Sequence, residues 1–317
     1  MDALITEVLA LGAGVKEFHL RRSDGAALPD WRAGAHVVLD FAARDGRRFE
    51  KHYSLVGRPG AGHAYRIAVQ REEAGNGGSR CLHEEFGPGR TLGLRGPFNS
   101  FALADVPPGL PRVILVGGGI GITPLVSMAY TLGAQGQAFT LHYLARDRER
   151  LVFLDELQAI PGARIVTHVS GESGRIDPGA LLGGWAAGDS LYACGPAPLL
   201  QALAEAARGA GWPDGAVHVE SFGARPQSGD GPLTVALSLS GISVEVAPGT
   251  SILDALIAAD VFVSWDCKRG ECGSCYTEVL EGAPLHRDVC LTPAMRSRGM
   301  CTCVSWAAAP GRLVLAL

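Results

Sequence analysis

The chain has 317 residues, long for one domain and sufficient for two or three. With 47% hydrophobic and 19% charged residues it is neither disordered nor a coiled coil, and a net charge of −4 offers no basic footprint for nucleic acid. No apolar run approaches the ~20 residues that span a bilayer, and Asp2 and Glu7 stand where a secretory leader carries positive charge, so a cytoplasmic protein that makes no use of membrane is expected.

The first segment, to about Val106, reads as short strands between glycine turns, the spacing of a small barrel. Phe18–Arg21, His36–Phe41, His52–Val56, Tyr65–Gln70 and Thr91–Arg95 are the expected strands, with one helix over Ser79–Phe86. From Pro111 the period changes. Strands at Arg112–Val116, Phe139–Tyr143, Ile165–Val169, Ser190–Cys194 and Val217–Glu220 alternate with helices near 125–132, 153–159, 177–182 and 197–210. That alternation predicts a parallel sheet wound on both faces. A Gly/Pro/Ser/Gln-rich linker follows, then strands at Leu233–Leu239 and Ile242–Val246, a helix over Ile252–Ala259, and strands at Tyr276–Leu280 and Arg312–Leu317.

Six of the eight cysteines crowd the last fifth of the chain. Cys267, Cys272 and Cys275 are spaced C-x4-C-x2-C, and Cys303 lies 28 positions beyond, the plant-type [2Fe–2S] pattern. Gly270 and Gly273 let such a loop approach the sulfurs closely. Cys301 rivals Cys303 as fourth ligand, and zinc held by the same thiolates is the alternative metal, although zinc sites usually pair their cysteines in two short hooks. Cys81, Cys290 and Cys301 are expected to be small packing residues.

GGGIGITP at 117–124 follows a strand and opens a helix, where backbone N–H groups and the helix dipole suit a pyrophosphate. CGP at 194–196 ends a later strand, and two such turns on one sheet define a nucleotide crevice. KHYSL at 51–55 and GNGGSRCLH at 75–83 offer a polar strand and a glycine turn suited to a single phosphate.

The order of these motifs resembles the phthalate dioxygenase reductase family, which includes vanillate O-demethylase reductases. AGAH at 33–36, HYSL, GNGGS, GPFNSF at 96–101, GGGIGITP, YACGP at 192–196, ESFG at 220–223 and HRD at 286–288 carry the likeness. It implies an antiparallel flavin-binding β-barrel over residues 1–106 and a doubly wound parallel-sheet nucleotide domain over 107–224. A linker at 225–231 then leads to a C-terminal β-grasp plant-type ferredoxin over 232–317.

The implied cofactors are FMN, a [2Fe–2S] cluster and NADH, with NADPH as the other nucleotide. Lys51, Tyr53 and Ser54 are implied at the flavin, with Ala68, Val69 and Gln70 along its ring. Gly75, Asn76, Gly77, Gly78, Ser79, Arg80, Cys81 and Leu82 are implied at its phosphate. Thr123 and Phe222 are implied where nicotinamide meets flavin, and Gly118, Gly119, Arg146, Cys194, Gly195 and Pro196 around the nucleotide. Ser54, Thr123, Cys194 and Phe222 form the implied catalytic set.

Lys51 and Asn76 stand where the family usually has arginine, and Trp306 replaces another arginine in a stretch expected to face a partner. Ser170 replaces an acidic residue that recognises the ribose hydroxyl in users of NADH. The expected function is the monomeric reductase component of a Rieske-type aromatic-ring or demethylating oxygenase, with that terminal oxygenase as protein partner. A reductase for a haem monooxygenase and an electron carrier or redox sensor without turnover are the alternatives.

Overall fold

The computed structural model describes residues 1–60, 64–73, 75–105, 112–222, 230–308 and 311–317. The expected boundary at 106/107 and most of the expected linker lie outside them. The described chain divides into two units, one of residues 1–195 and 202–219, the other of 196–201 and 220–317.

In the first unit, strands β1 (Asp2–Gly12), β2 (Val15–Arg22), β3 (His36–Ala42), β4 (Arg48–Val56), β5 (Tyr65–Gln70) and β6 (Thr91–Phe98) join in the order β1-β2-β5-β4-β3-β6, and β6 pairs back onto β1. Inward-facing Ile5, Phe18, Leu20, Leu39, Ile67 and Leu94 form its core. Two features correct the expectation of an antiparallel β-barrel. Alternation does not announce β1, because register shifts at Ile5/Glu7 and Ala10/Gly12 break its period, yet this strand joins the two ends of the sheet. The seams are also unequal. β1 and β6 share three residue pairs, and β4 and β5 share two, Leu55–Ile67 and Val56–Arg66. The sheet is a ring of uneven seams, not an evenly bonded barrel.

The second half of this unit is a five-stranded sheet, order β11-β10-β7-β8-β9, made of β7 (Val113–Gly118), β8 (Phe139–Ala145), β9 (Ala163–Val169), β10 (Ser190–Cys194) and β11 (Val217–Glu220). β10–β7, β7–β8 and β8–β9 are parallel. The order reverses at β7, placing a switch point between β7 and β10. Helix α1 (Gly78–Glu85) belongs to the first sheet, and α2 (Ile122–Ala134) packs its apolar face beneath β7 and β10.

Winding on both faces is complete only at the centre. Every residue of β7 is buried, but β8 alternates: Phe139, Leu141 and Tyr143 are buried, whereas Thr140, His142 and Leu144 on the other face are half-exposed. This corrects the doubly wound reading for β8 and β9. A purely sequence-based reading misses it because buried and half-buried parallel strands differ mainly in how apolar their second face is.

On that open face His142 Nδ1 lies 3.0 Å from His168 Nε2. Burial, then the neighbouring imidazole, pushes His142 down to about 4, and burial lowers His168. Folded chains therefore bind fewer protons here than unfolded ones between about pH 6.5 and 4, so stability falls as pH drops through that window. Denaturant unfolding of His168→Gln at stepped pH is expected to show a flatter acid limb than the parent.

In the second unit, β12 (Leu233–Leu237), β13 (Ser243–Val246), β14 (Tyr276–Glu281), β16 (Gly299–Cys301) and β18 (Gly311–Leu315) form a mixed sheet, order β13-β12-β18-β14-β16, with β12 and β18 parallel. β15 (Pro284–Leu285) and β17 (Trp306–Ala307) pair separately. Among its helices, the one over Ile252–Ala258 is capped by Ser251, whose Oγ accepts from Asp254 N at 3.0 Å, and buries Ile252, Leu253, Ala255 and Leu256. Trp306 is buried and its indole donates to Gly231 O at 3.3 Å, so its side chain packs inside this unit.

Candidate flavin, nucleotide and iron–sulfur sites

The narrow β4–β5 seam ends where the flavin is expected. Continued in register, the next pairs would be Ser54–Ala68 and Tyr53–Val69, but the ladder stops at Leu55–Ile67. The segments carrying Lys51–Ser54 and Ala68–Gln70 thus border one interruption in the sheet. Ser54 is buried beside it and Tyr53 is half-buried. Ala68 and Val69 are buried, and the side chains of Cys81 and Leu82 belong to the sheet's core.

At one end of this slot Gly77, at φ 93°, caps α1. A Cβ on Gly78 would fall 2.6 Å from Lys51 Cε, and one on Gly77 would fall 3.6 Å from both Arg47 and Arg80. Three cations therefore crowd a glycine turn at a helix N-terminus. Arg80 Nε is buried without a hydrogen-bond partner, a donor awaiting an acceptor. Ser79 Oγ already accepts from Glu72 N at 3.0 Å, and Asn76 Oδ1 accepts from Gly78 N at 3.4 Å. The orphan donor and the cations fit a terminal phosphate. Arg47 escaped the sequence reading; its one signal is the basic pair 47–48 after the Asp45-Gly46 turn.

The two nucleotide turns do meet. Cys194 pairs with Gly117, and a Cβ on Gly121 would lie 2.3 Å from Cys194 O and 2.8 Å from Gly195 Cα. Gly118 ends β7, and Gly119 follows at φ 56°. Thr123 is buried, its hydroxyl donating to Ile120 O at 3.0 Å. Arg146, just past β8, is exposed, and its carbonyl accepts from Gly171 N at 2.8 Å beside Ser170. Arg148 is held by Glu172 through two hydrogen bonds of 2.7 and 2.8 Å. Pro196 and Phe222 belong to the other unit, where Phe222 is exposed.

In the cysteine loop, Arg269 N donates to Cys267 Sγ at 3.3 Å and Ser274 N to Cys272 Sγ at 3.5 Å. Cys275 Sγ lies 3.1 Å from Cys303 Sγ, which brings the distant fourth cysteine to the loop. The Cys301 and Cys303 thiols pull Cys275 down to about 3. Gly270, at φ 72°, admits no side chain, since a Cβ would meet Val304 Cγ2 at 2.6 Å. Among the described residues no three metal-ligating side chains converge on a single ion. Four thiols and inward N–H donors instead suit a centre with two irons and bridging sulfides.

A buried charge cluster beside the loop was not foreseen. Arg269 Nη1 lies 3.3 Å from Glu220 and Nη2 lies 3.1 Å from Glu271, whose other oxygen accepts from Ser221 N. Burial, then Glu271, pushes Glu220 up to about 8, and burial pushes Glu271 up to about 7. Residues 49 positions apart carry no sequence signal of such contact.

A flavin slot, a dinucleotide crevice and a four-thiol loop on one chain define a pyridine-nucleotide-dependent flavin and iron–sulfur oxidoreductase. The profile of the 2Fe-2S iron-sulfur cluster binding domain matches residues 235–308. The chain is 38% identical to a putative toluene-4-sulfonate monooxygenase system reductase subunit of Comamonas testosteroni, over 98% of this chain and 97% of that one. It is also 38% identical to the beta subunit of a heme-dependent oxidative N-demethylase of Ectopseudomonas mendocina, over 96% and 95%. The solved structure of a phthalate dioxygenase reductase superposes at TM-score 0.74 with 34% identity, covering 100% of this chain and 98% of that one. The chain belongs to the phthalate dioxygenase reductase family and passes electrons from NAD(P)H through FMN and a [2Fe–2S] cluster to a partner oxygenase. No helix among the described residues is long and apolar enough to cross a membrane.

Proposed function

We propose that the partner is a Rieske-type oxygenase acting on an aromatic ring or its substituent, served by a cytoplasmic, monomeric reductase. The interrupted β4–β5 seam with its cationic end carries the assignment of residues. Lys51, Arg47 and Arg80 bind the FMN phosphate, Tyr53, Ser54 and Ala68–Gln70 line its ring, and Thr123 borders the nicotinamide position. Gly118, Gly119, Cys194, Gly195 and Pro196 receive the dinucleotide, and Cys267, Cys272, Cys275 and Cys303 hold the cluster. A flavin held in the β4–β5 slot would supply the conversion of a hydride's electron pair into single electrons. The chain's own residues bind and orient; no side chain is required to carry a proton.

The toluenesulfonate relative supports the aromatic-substrate reading, and the N-demethylase relative supports a second one, a haem-containing acceptor. NADH-driven turnover with purified Rieske and haem oxygenases from neighbouring genes separates them. Faster reduction of the haem partner would reverse the assignment.

NADH is the proposed donor. Ser170 supplies no carboxylate to repel a 2′-phosphate, but Glu172 occupies the Arg148 guanidinium that would otherwise attract one. Glu172→Ala is expected to lower the ratio of kcat/KM for NADH over NADPH several-fold. In that background, Arg148→Ala should restore the ratio. A parent that favours NADPH would overturn the choice and shift attention to Arg146.

A further inference from the structure

We propose that Cys290 and Cys301 form a peroxide-responsive dithiol that closes to a disulfide beside the cluster ligands. This rests on the reading of Cys303, not Cys301, as the fourth ligand. The two Sγ atoms lie 3.7 Å apart. Cys290 is half-buried, within reach of a small oxidant, whereas Cys301 is fully buried on β16 and suited to resolve what forms on its neighbour. Cys290 also sits against the cluster loop, where a Cβ on Gly273 would come within 3.8 Å of its sulfur. The four ligand cysteines leave both of these thiols without a part in holding iron.

The oxidant is hydrogen peroxide, the two-electron product of dioxygen at a reduced flavin whose protein acceptor is absent. The Cys290 sulfur attacks one peroxide oxygen; an S–O bond forms, the O–O bond breaks, and hydroxide leaves with the thiol proton as water. The Cys301 sulfur then attacks the Cys290 sulfur; the S–S bond forms, the S–O bond breaks, and a second water leaves. Two thiols are oxidised by two electrons and one peroxide becomes two waters.

Closing 3.7 Å to about 2 Å draws on β16. That strand pairs Cys301 with Tyr276, the residue after Cys275, and ends two positions before Cys303. Both ligands therefore feel the closure, and electron delivery drops when acceptor is scarce.

The test treats the full-length holoprotein with one equivalent of hydrogen peroxide, maps its peptides by mass spectrometry and follows the visible cluster absorption. A Cys290–Cys301 linked peptide is expected to dominate. Cytochrome c reduction should fall about tenfold and return with dithiothreitol, while flavin reduction by NADH is retained. Cys290→Ser should form no such link and keep its activity at the same dose. Absence of the link, a link through Cys275 or Cys303, or equal sensitivity of Cys290→Ser would overturn the proposal. Untreated Cys301→Ser separates the two readings: loss of the cluster spectrum there means that the ligand assignment failed.

Discussion

Cys303→Ser is expected to abolish normal cluster assembly and reduce cytochrome c reduction to background, while NADH still reduces the flavin at the parent rate. The reason lies in which groups each step needs. Cys303 comes to the loop from 28 positions away, with its sulfur 3.1 Å from Cys275. A serine hydroxyl is a harder and shorter ligand for a centre that selects thiolates. The flavin slot draws on β4, β5 and α1, none of which contains Cys303. Cys301→Ser should keep its visible spectrum nearly intact, since Cys267, Cys272, Cys275 and Cys303 supply all four thiolates without it. Iron and sulfide analysis beside absorption and stopped-flow flavin reduction checks all three statements. The opposite pattern would reassign the fourth ligand to Cys301, and joint loss of both activities would mean that the sheet cannot fold without the cluster.

Gly121→Ala is expected to cost about 3 kcal/mol of stability and to raise the nucleotide KM sharply, because its new methyl group meets backbone that cannot rotate away. The Cβ position lies 2.3 Å from Cys194 O. Relief requires the two turns to part, which widens the crevice between β7 and β10. Gly119→Ala is the control for stability. Nothing lies within 4 Å of its Cβ position, and its strain at φ 56° costs only about 1–2 kcal/mol. Thermal unfolding of both variants and the NADH KM of Gly121→Ala measure the contrast. Parental values for Gly121→Ala would show that the turns do not approach so closely.

Legibility in the sequence followed the range of the interactions. The C-x4-C-x2-C loop is local, so spacing located it and favoured iron–sulfur over zinc, while the choice of fourth cysteine stayed open between Cys301 and Cys303. The parallel strands of the nucleotide sheet were legible because strand and helix periods alternate, but the exposed face of β8 was not, since His142 and Thr140 differ little from ordinary sheet-edge polarity. β1 was lost to its two register shifts. The Glu220–Arg269–Glu271 cluster was invisible for another reason, since it depends on a chain crossing that no short window contains, and the approach of Arg47 to the Gly77 turn is likewise non-local. The place that Trp306 fills in its own core was not legible either, because a departure from a family pattern says nothing of burial.

The placement of β18 has a consequence for the order of events during synthesis. Gly311–Leu315 lies in the middle of the C-terminal sheet, between β12 and β14, yet it is the last of these strands to leave the ribosome. The N-terminal unit has all but a few of its strands available early and begins to fold while translation continues. The ligand cysteines emerge into a sheet that still lacks its centre. Iron and sulfide therefore meet a settled site only once β18 is free to pair, and a chain truncated between Cys303 and Gly311 would keep all four ligand cysteines while lacking the strand that joins β12 to β14.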